Sequence, residues 1–180
     1  MLLPEARSQT RSTGTAKIYP TPLSITQVSA QMPPAIAVRE GTVIATLHAE
    51  GAQIYECKPD PGMSQSEIRA LTWQFREPIA TLFVDGKSVG RHCAGPTWNH
   101  IDGSEVRGKV AGSAPGATSN DIAWLKIEVA GHRNSGTLSD AATVQRISTK
   151  GGMLPGACED VDDYPSVPYS ADYVFLRRND

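Results

Sequence analysis

The densest group of chemically versatile side chains in the chain is Gly90-Arg91-His92-Cys93-Ala94-Gly95-Pro96-Thr97-Trp98-Asn99-His100-Ile101-Asp102, which holds two of the four histidines, a tryptophan and a carboxylate. If the segment around His100 is extended, His100 and Asp102 share a face, because strand side chains alternate. With His92 supplied from a neighbouring strand, the three would make a nitrogen and oxygen set for a divalent metal. No recognised spacing motif accompanies them, and the plainer reading is histidines on exposed strand faces. Trp98, after Gly95-Pro96, either caps one end of a core or forms the aromatic wall of a ligand site. His132, in Gly131-His132-Arg133-Asn134-Ser135-Gly136, follows a strand pattern and sits where loops carry sites, or else in a solvated turn. His92, Trp98, His100 and His132 are therefore the candidate ligand-binding residues. The acid/base alternative uses His92, His100 and His132 with Asp102 or Glu128 as carboxylate partner.

Three cysteines, Cys57, Cys93 and Cys158, lack the C-x-x-C spacing of a zinc knuckle or a redox pair. Position favours a disulfide between Cys57, at the end of a strand, and Cys158, in a loop after Pro155-Gly156 that a staple would fasten. Cys93 reads as a small buried hydrophobe on the face of Val89, or as a nucleophile. The adjacent His92 points to the opposite strand face and is badly placed as its base. No Gly-x-Ser-x-Gly elbow supports serine hydrolysis. Glu159, Asp160, Asp162 and Asp163 lack the glycine and terminal glutamate of an EF-hand loop and read as a solvated acidic loop. Arg146 and Lys150, near Gly151-Gly152, either hold an anion together with loop amides or form the wet face of a strand.

The elements that would position these residues read as strands. From Arg39 onward, short β-branched and aromatic runs are bounded by Gly, Asp and Pro. Val43, Ala45, Leu47 and Ala49 share one face, opposite Thr46 and His48, at the period of a half-buried strand. Gly51 permits a bend or bulge before a second run, Ala52 to Cys57. Leu71 to Arg76 and Ile79 to Val84 flank Pro78, which cannot donate to a central ladder, so they are two strands or one broken at an edge or corner. Asp85-Gly86 predicts a type I′ hairpin and Asp102-Gly103 repeats the signal. Further runs cover Ser88 to Cys93, Glu105 to Val110, Ile122 to Val129, Thr143 to Thr149 and Tyr169 to Leu176. Two helical alternatives exist: Ser64 to Ala70, with a Ser64/Glu67 capping box, and Asp121 to Ala130, with Asp121 as N-cap, where the alternation of Leu125, Ile127 and Val129 favours strand. The expectation is an all-β fold, a single antiparallel sandwich or barrel of about ten short strands with at most one or two short helices. Residues 1–38 form a disordered arm or degenerate leader, 39–177 the domain and 178–180 a tail.

Size and charge exclude several classes of function. A chain of 180 residues supports one core. A net charge of -2 supplies no basic field for a nucleic-acid backbone. No apolar run approaches the roughly 20 residues of a membrane-spanning helix. Val28-Ser29-Ala30 before Gln31 resembles a signal-peptidase site, but Pro20, Pro22, Ser24, Thr26 and Gln27 interrupt the apolar stretch that should precede it.

The phrases Leu47-His48-Ala49-Glu50-Gly51-Ala52-Gln53-Ile54-Tyr55-Glu56-Cys57, Ala94-Gly95-Pro96-Thr97-Trp98, Thr143-Val144-Gln145-Arg146-Ile147 with Thr149-Lys150-Gly151-Gly152, and Val167-Pro168-Tyr169-Ser170-Ala171-Asp172-Tyr173 together resemble one bacterial and fungal family of unknown function, DUF3455. The resemblance runs from about Pro33 to the end. It implies a secreted or periplasmic protein and supports pairing of Cys57 with Cys158, since both match cysteines of the pattern. Cys93 and Asn99 depart from the pattern, which weakens a nucleophilic Cys93. The resemblance supplies no catalytic residues. Some fungal relatives carry the label malate dehydrogenase. The chain argues against that label, having no Gly-x-Gly-x-x-Gly turn and no βαβ alternation. The leading functional expectation is a non-catalytic exported domain that binds a small molecule, glycan or protein at a loop end carrying His92, Trp98 and His132. A metal-dependent or acid/base enzyme and a structural envelope protein are the alternatives. No cofactor is expected beyond the divalent metal considered above, and the oligomeric state is left open.

Overall fold

A computed structural model describes residues 32–62 and 70–179. Eight strands follow one another in chain order: β1 Thr42–Pro59, β2 Leu71–Val84, β3 Lys87–Cys93, β4 Thr97–His100, β5 Glu105–Ala114, β6 Trp124–Arg133, β7 Thr143–Gly151 and β8 Ser166–Arg177. Each pairs antiparallel with the next, and β8 returns to β1, from Thr42↔Arg177 to Ile54↔Ser166. The sheet is a closed up-and-down barrel, which decides between the two all-β architectures. No helix forms among the described residues, and none is long and apolar enough to cross a membrane.

The strand count is lower than expected because two supposed breaks are continuous. Gly51 does not bend β1; it is a site of close approach, paired with both Ala80 and Tyr169. A Cβ there would lie 2.0 Å from the Ile79 carbonyl oxygen. Pro78 sits inside β2, paired with Gln53 beside a bulge at Ile54/Tyr55. The ladder with β3 has already ended at Ala80↔His92, so the missing N–H faces no strand on that side. Further along, the late loop takes the place of β3. Thr72 bridges Ala157, the Trp73 amide donates to the Gly156 carbonyl at 3.2 Å, and the Cys158 amide donates to the Leu71 carbonyl at 3.1 Å. The Cys57–Cys158 disulfide fastens that loop to β1.

Both Asp-Gly turns form, with different geometry. Asp85 (φ 49°) and Gly86 (φ 74°) are both left-handed, as a type I′ turn demands. At Asp102-Gly103 only Gly103 is left-handed (φ 91°), with the Gly103 amide bonded to the His100 carbonyl and the His100 amide to the Ser104 carbonyl. That is the three-residue type I turn with a glycine bulge. The helical alternative at Asp121–Ala130 gives way to β6. The Asp121 carboxylate accepts from the amide and hydroxyl of Thr118 and the amide of Gly151, instead of capping a helix. Of the other helical stretch, residues 64–69 lie outside the described residues, as does the leader through Gln31. The folded part begins before Arg39. Ile36 is fully buried, and its carbonyl accepts from the Gln145 Nε2 at 2.7 Å. A single isoleucine among Pro33, Pro34 and two alanines gives no period to read.

The inward face is built from alternating positions. Leu47 and Ala49 on β1, Ala80 and Leu82 on β2, and Tyr169, Ala171, Tyr173 and Phe175 on β8 belong to one core with Trp98, Val106, Ile127 and Val144. Small residues oppose one another where β1 meets its neighbours, as Ala49↔Ala171 and Gly51↔Ala80. They leave barrel volume for the rings of Trp98, Tyr173 and Phe175. Closing a loop with a sequence separation of 101 residues, the disulfide should contribute about 2–5 kcal/mol by restricting the unfolded chain. Urea unfolding of Cys158→Ser should show a loss in that range with the far-ultraviolet β signal retained; an unchanged midpoint would deny the disulfide this role.

Candidate functional site

Chain order in an up-and-down barrel sorts the loops. The connections β1–β2, β3–β4, β5–β6 and β7–β8 gather at one end; β2–β3, β4–β5, β6–β7 and both termini of the barrel gather at the other. The second end is closed. Asp102, in the β4–β5 turn, accepts on Oδ1 from the Ser104 amide (2.9 Å) and hydroxyl (2.6 Å), and on Oδ2 from the amide and hydroxyl of Thr137, both at 2.7 Å. Burial pushes this carboxyl up, but the four hydrogen bonds together outweigh it and hold it well below the usual carboxylate range. The Ser104 hydroxyl in turn accepts from the Leu138 amide, and Leu138 is fully buried beneath.

The first end opens into a cavity of about 400 Å³ inside the barrel, ringed by the Ala94-Gly95-Pro96 turn, Ile122-Ala123 and Met153 and walled by Trp98, Leu125, Ile127 and Tyr173. His92 and Trp98 meet there. Cross-strand pairing sets them side by side on β3 and β4, and their rings stack at 4.7 Å with 10° between planes. Tyr173 leans on both, with centroids 4.9 Å from His92 and 5.3 Å from Trp98. Gly108 makes the room: a Cβ there would fall 2.3 Å from Ile127 Cγ2 and 3.6 Å from the Trp98 ring. Trp98 is thus at once a core residue, with none of its surface exposed, and part of the cavity wall.

His92 Nδ1–H donates to the Thr97 carbonyl at 2.9 Å. Burial drives its pKa down to about 4, against the pull of that carbonyl and with a smaller push from the Arg146 charge. The ring is neutral at pH 7, and Nε2 is its unprotonated nitrogen.

The remaining candidates sit elsewhere. His100 Nδ1 lies 3.0 Å from Asp102 Oδ2 in the β4–β5 turn, and His132 Nε2–H donates to the Ala141 carbonyl at 2.7 Å beside Asp140 and Arg177. Both belong to the closed end, so His92, Trp98 and His132 do not share a loop end. No group of three His, Cys, Asp or Glu side chains able to hold a metal exists among the described residues. The set His92, His100 and Asp102 is divided between lumen and turn, and both Asp102 oxygens are already engaged. Cys93 is half-buried on the opposite side of β3 from His92, not in the core. Burial, then the charges of Glu105 and Glu77, push its thiol up, away from the thiolate a nucleophile needs.

Two lumen residues, Gln53 and Tyr55, escaped the sequence reading, and a third, Arg146, was read only as an anion holder paired with Lys150 or as the wet face of a strand. Gln53 and Tyr55 continue the inward face of Leu47 and Ala49 along β1. Gln53 is buried with Nε2 lacking a partner, while the Tyr55 hydroxyl donates to the Gly152 carbonyl at 2.7 Å. Arg146 on β7 is paired with Leu125 and Tyr173 and lines the cavity, with its Nε donating to the Ala123 carbonyl at 3.0 Å. The signal was available: Arg146 stands two residues after the core residue Val144 on the same strand face. Lys150 is exposed, past an irregularity between Ile147 and Lys150 where Ser148 is left-handed (φ 53°). The two cations therefore do not act together.

The buried histidine has a pH signature. Its folded pKa lies below the unfolded value of about 6.5, so the unfolded chain takes up the proton first. The contribution is intact above pH 6.5 and is lost as pH falls toward 4. Relative to His92→Gln, the native protein should lose about 3 kcal/mol of stability between pH 7 and pH 4. Urea melts across that window check this; parallel losses in both proteins would show that His92 is not the group responsible.

Against known proteins, residues 38–177 match one family, described as Protein of unknown function (DUF3455). No curated protein and no solved structure matches the chain.

Proposed function

The chain belongs to DUF3455, a family of unknown function, and we propose that it is a non-catalytic binding protein that takes one small, largely apolar molecule into the barrel lumen. The observation that carries this reading is the cavity of about 400 Å³ at the open end, walled by Trp98, Leu125 and Ile127, with Gln53 Nε2 and Trp98 Nε1 unpartnered in its lining residues. Eight-stranded barrels are of the size to hold one small ligand. Mostly apolar concavities with a few convergent polar groups are the usual form of ligand sites. Phe75, Val110 and Met153, half-exposed around the mouth, give an apolar approach to it.

An apolar lumen favours a small molecule over a glycan or a protein. The acid/base scheme loses support because His92, His100 and His132 each have a separate partner and no common centre. Export is part of the proposal, since a disulfide persists in an oxidising compartment.

Truncating Trp98 is a poor test, because removing so large a core side chain costs about 3–5 kcal/mol by itself. Ala123→Trp at the mouth fills the opening without touching the core. N-phenylnaphthylamine, a neutral apolar fluorophore, should bind the native protein saturably at one site and quench tryptophan emission. Ala123→Trp should weaken that binding by about tenfold or more with an unchanged melting temperature. Absence of saturable binding, or equal affinity in the variant, overturns the proposal.

A further inference from the structure

The polar atoms of the lumen share a property that the apolar wall does not explain: those without a partner are N–H donors. Among the described residues Gln53 Nε2 and Trp98 Nε1 are buried without a partner, as is Trp124 Nε1 outside the cavity lining. Arg146 carries five N–H donors on a planar fork and makes no ion pair among the described residues. Its one hydrogen bond to the backbone, at the Ala123 carbonyl, uses Nε. Among the described residues the guanidinium meets the Tyr173 phenol but no carboxylate. Leu125 flanks it on β6 and Tyr173 on β8, and the buried His92 is neutral. The Arg146 charge reaches the phenols of Tyr55, Tyr169 and Tyr173, which burial pushes up and the guanidinium pulls back down.

A part-buried guanidinium beside apolar walls and without a carboxylate keeps donors of its fork free, and an anion that supplies acceptors engages them. Building on the lumen reading above, we infer that the ligand is an apolar monocarboxylate, with its carboxylate held by Arg146 and its hydrocarbon body along Trp98, Leu125 and Ile127. A carboxylate accepts two parallel bonds from arginine, which a neutral alcohol cannot reproduce. The half-exposed Phe75, Val110 and Met153 at the mouth suit the hydrocarbon portion of such a molecule as it enters.

Calorimetric titration with decanoate and decanol at pH 7, below micellar concentrations, separates head-group recognition from filling of the lumen. The native protein should bind decanoate about tenfold or more tightly than decanol. In Arg146→Met that preference should vanish. Equal affinities in the native protein, or a preference that survives in Arg146→Met, overturn the carboxylate inference and leave the lumen reading standing. If neither decanol nor N-phenylnaphthylamine binds, the lumen reading itself fails and the inference with it. Should Arg146→Met not fold, the comparison of the two ligands on the native protein decides.

Discussion

Pairing of β1 with β8 turns a meander of hairpins into a surface with no free edge, and most features of the molecule follow from that closure. It joins Thr42–Ile54 to Ser166–Arg177, strands from opposite ends of the domain, so the interior exists only once nearly the whole chain is in place. Closure also fixes what the two strands present inward. β8 contributes Tyr169, Ala171, Tyr173 and Phe175, and β1 answers with Gly51 opposite Tyr169, Ala49 opposite Ala171 and Leu47 opposite Tyr173. Exposed strand edges invite pairing with other chains, and closure removes them.

The two ends of the barrel then follow different physical logic. At the closed end, polar groups are satisfied internally: four hydrogen bonds to Asp102, the buried Ser104 hydroxyl bonded to the Leu138 amide, and His132 bonded to Ala141. At the open end, a neutral histidine, an arginine without a carboxylate and two of the three unpartnered buried donors found among the described residues surround an apolar space, the third being Trp124 Nε1 outside the lining. Buried polar groups in folded proteins are overwhelmingly paired, and these exceptions support the proposed lumen site.

Much of the fold was legible in the sequence because strand period and turn chemistry are local. The alternation from Ala45 to Ala49, the left-handed pair Asp85-Gly86 and the β6 alternation around Leu125, Ile127 and Val129 formed as read, whereas a bulge between Val43 and Ala45 turns Val43 outward and brings Ile44 against the core. Position and family resemblance together gave the Cys57–Cys158 bond. What failed depends on neighbours distant in sequence. Pro78 looked like a break because nothing local tells that β3 ends before it, and Gly51 looked like a bend because the close approach of Ile79 is a tertiary contact. The site was half legible. His92 and Trp98 were named, but closure of the barrel sends them to the lumen and leaves His100, Asp102 and His132 at the other end. Gln53 was passed over, and Arg146 was weighed as an anion holder only together with Lys150, because charged and amide residues on a strand ordinarily face water and only a cavity reverses that expectation.

The central claim is that the lumen behind the Ala94–Pro96 turn, and no outer surface, receives the ligand. Two-dimensional NMR of the protein titrated with N-phenylnaphthylamine tests this most directly. The Trp98 indole N–H and the Ile127 methyl groups should shift together and saturably, while Ile101 and the amides around Asp102 and Thr137 at the closed end stay fixed. Shifts confined to outward-facing residues, with Trp98 and Ile127 unmoved, would contradict it.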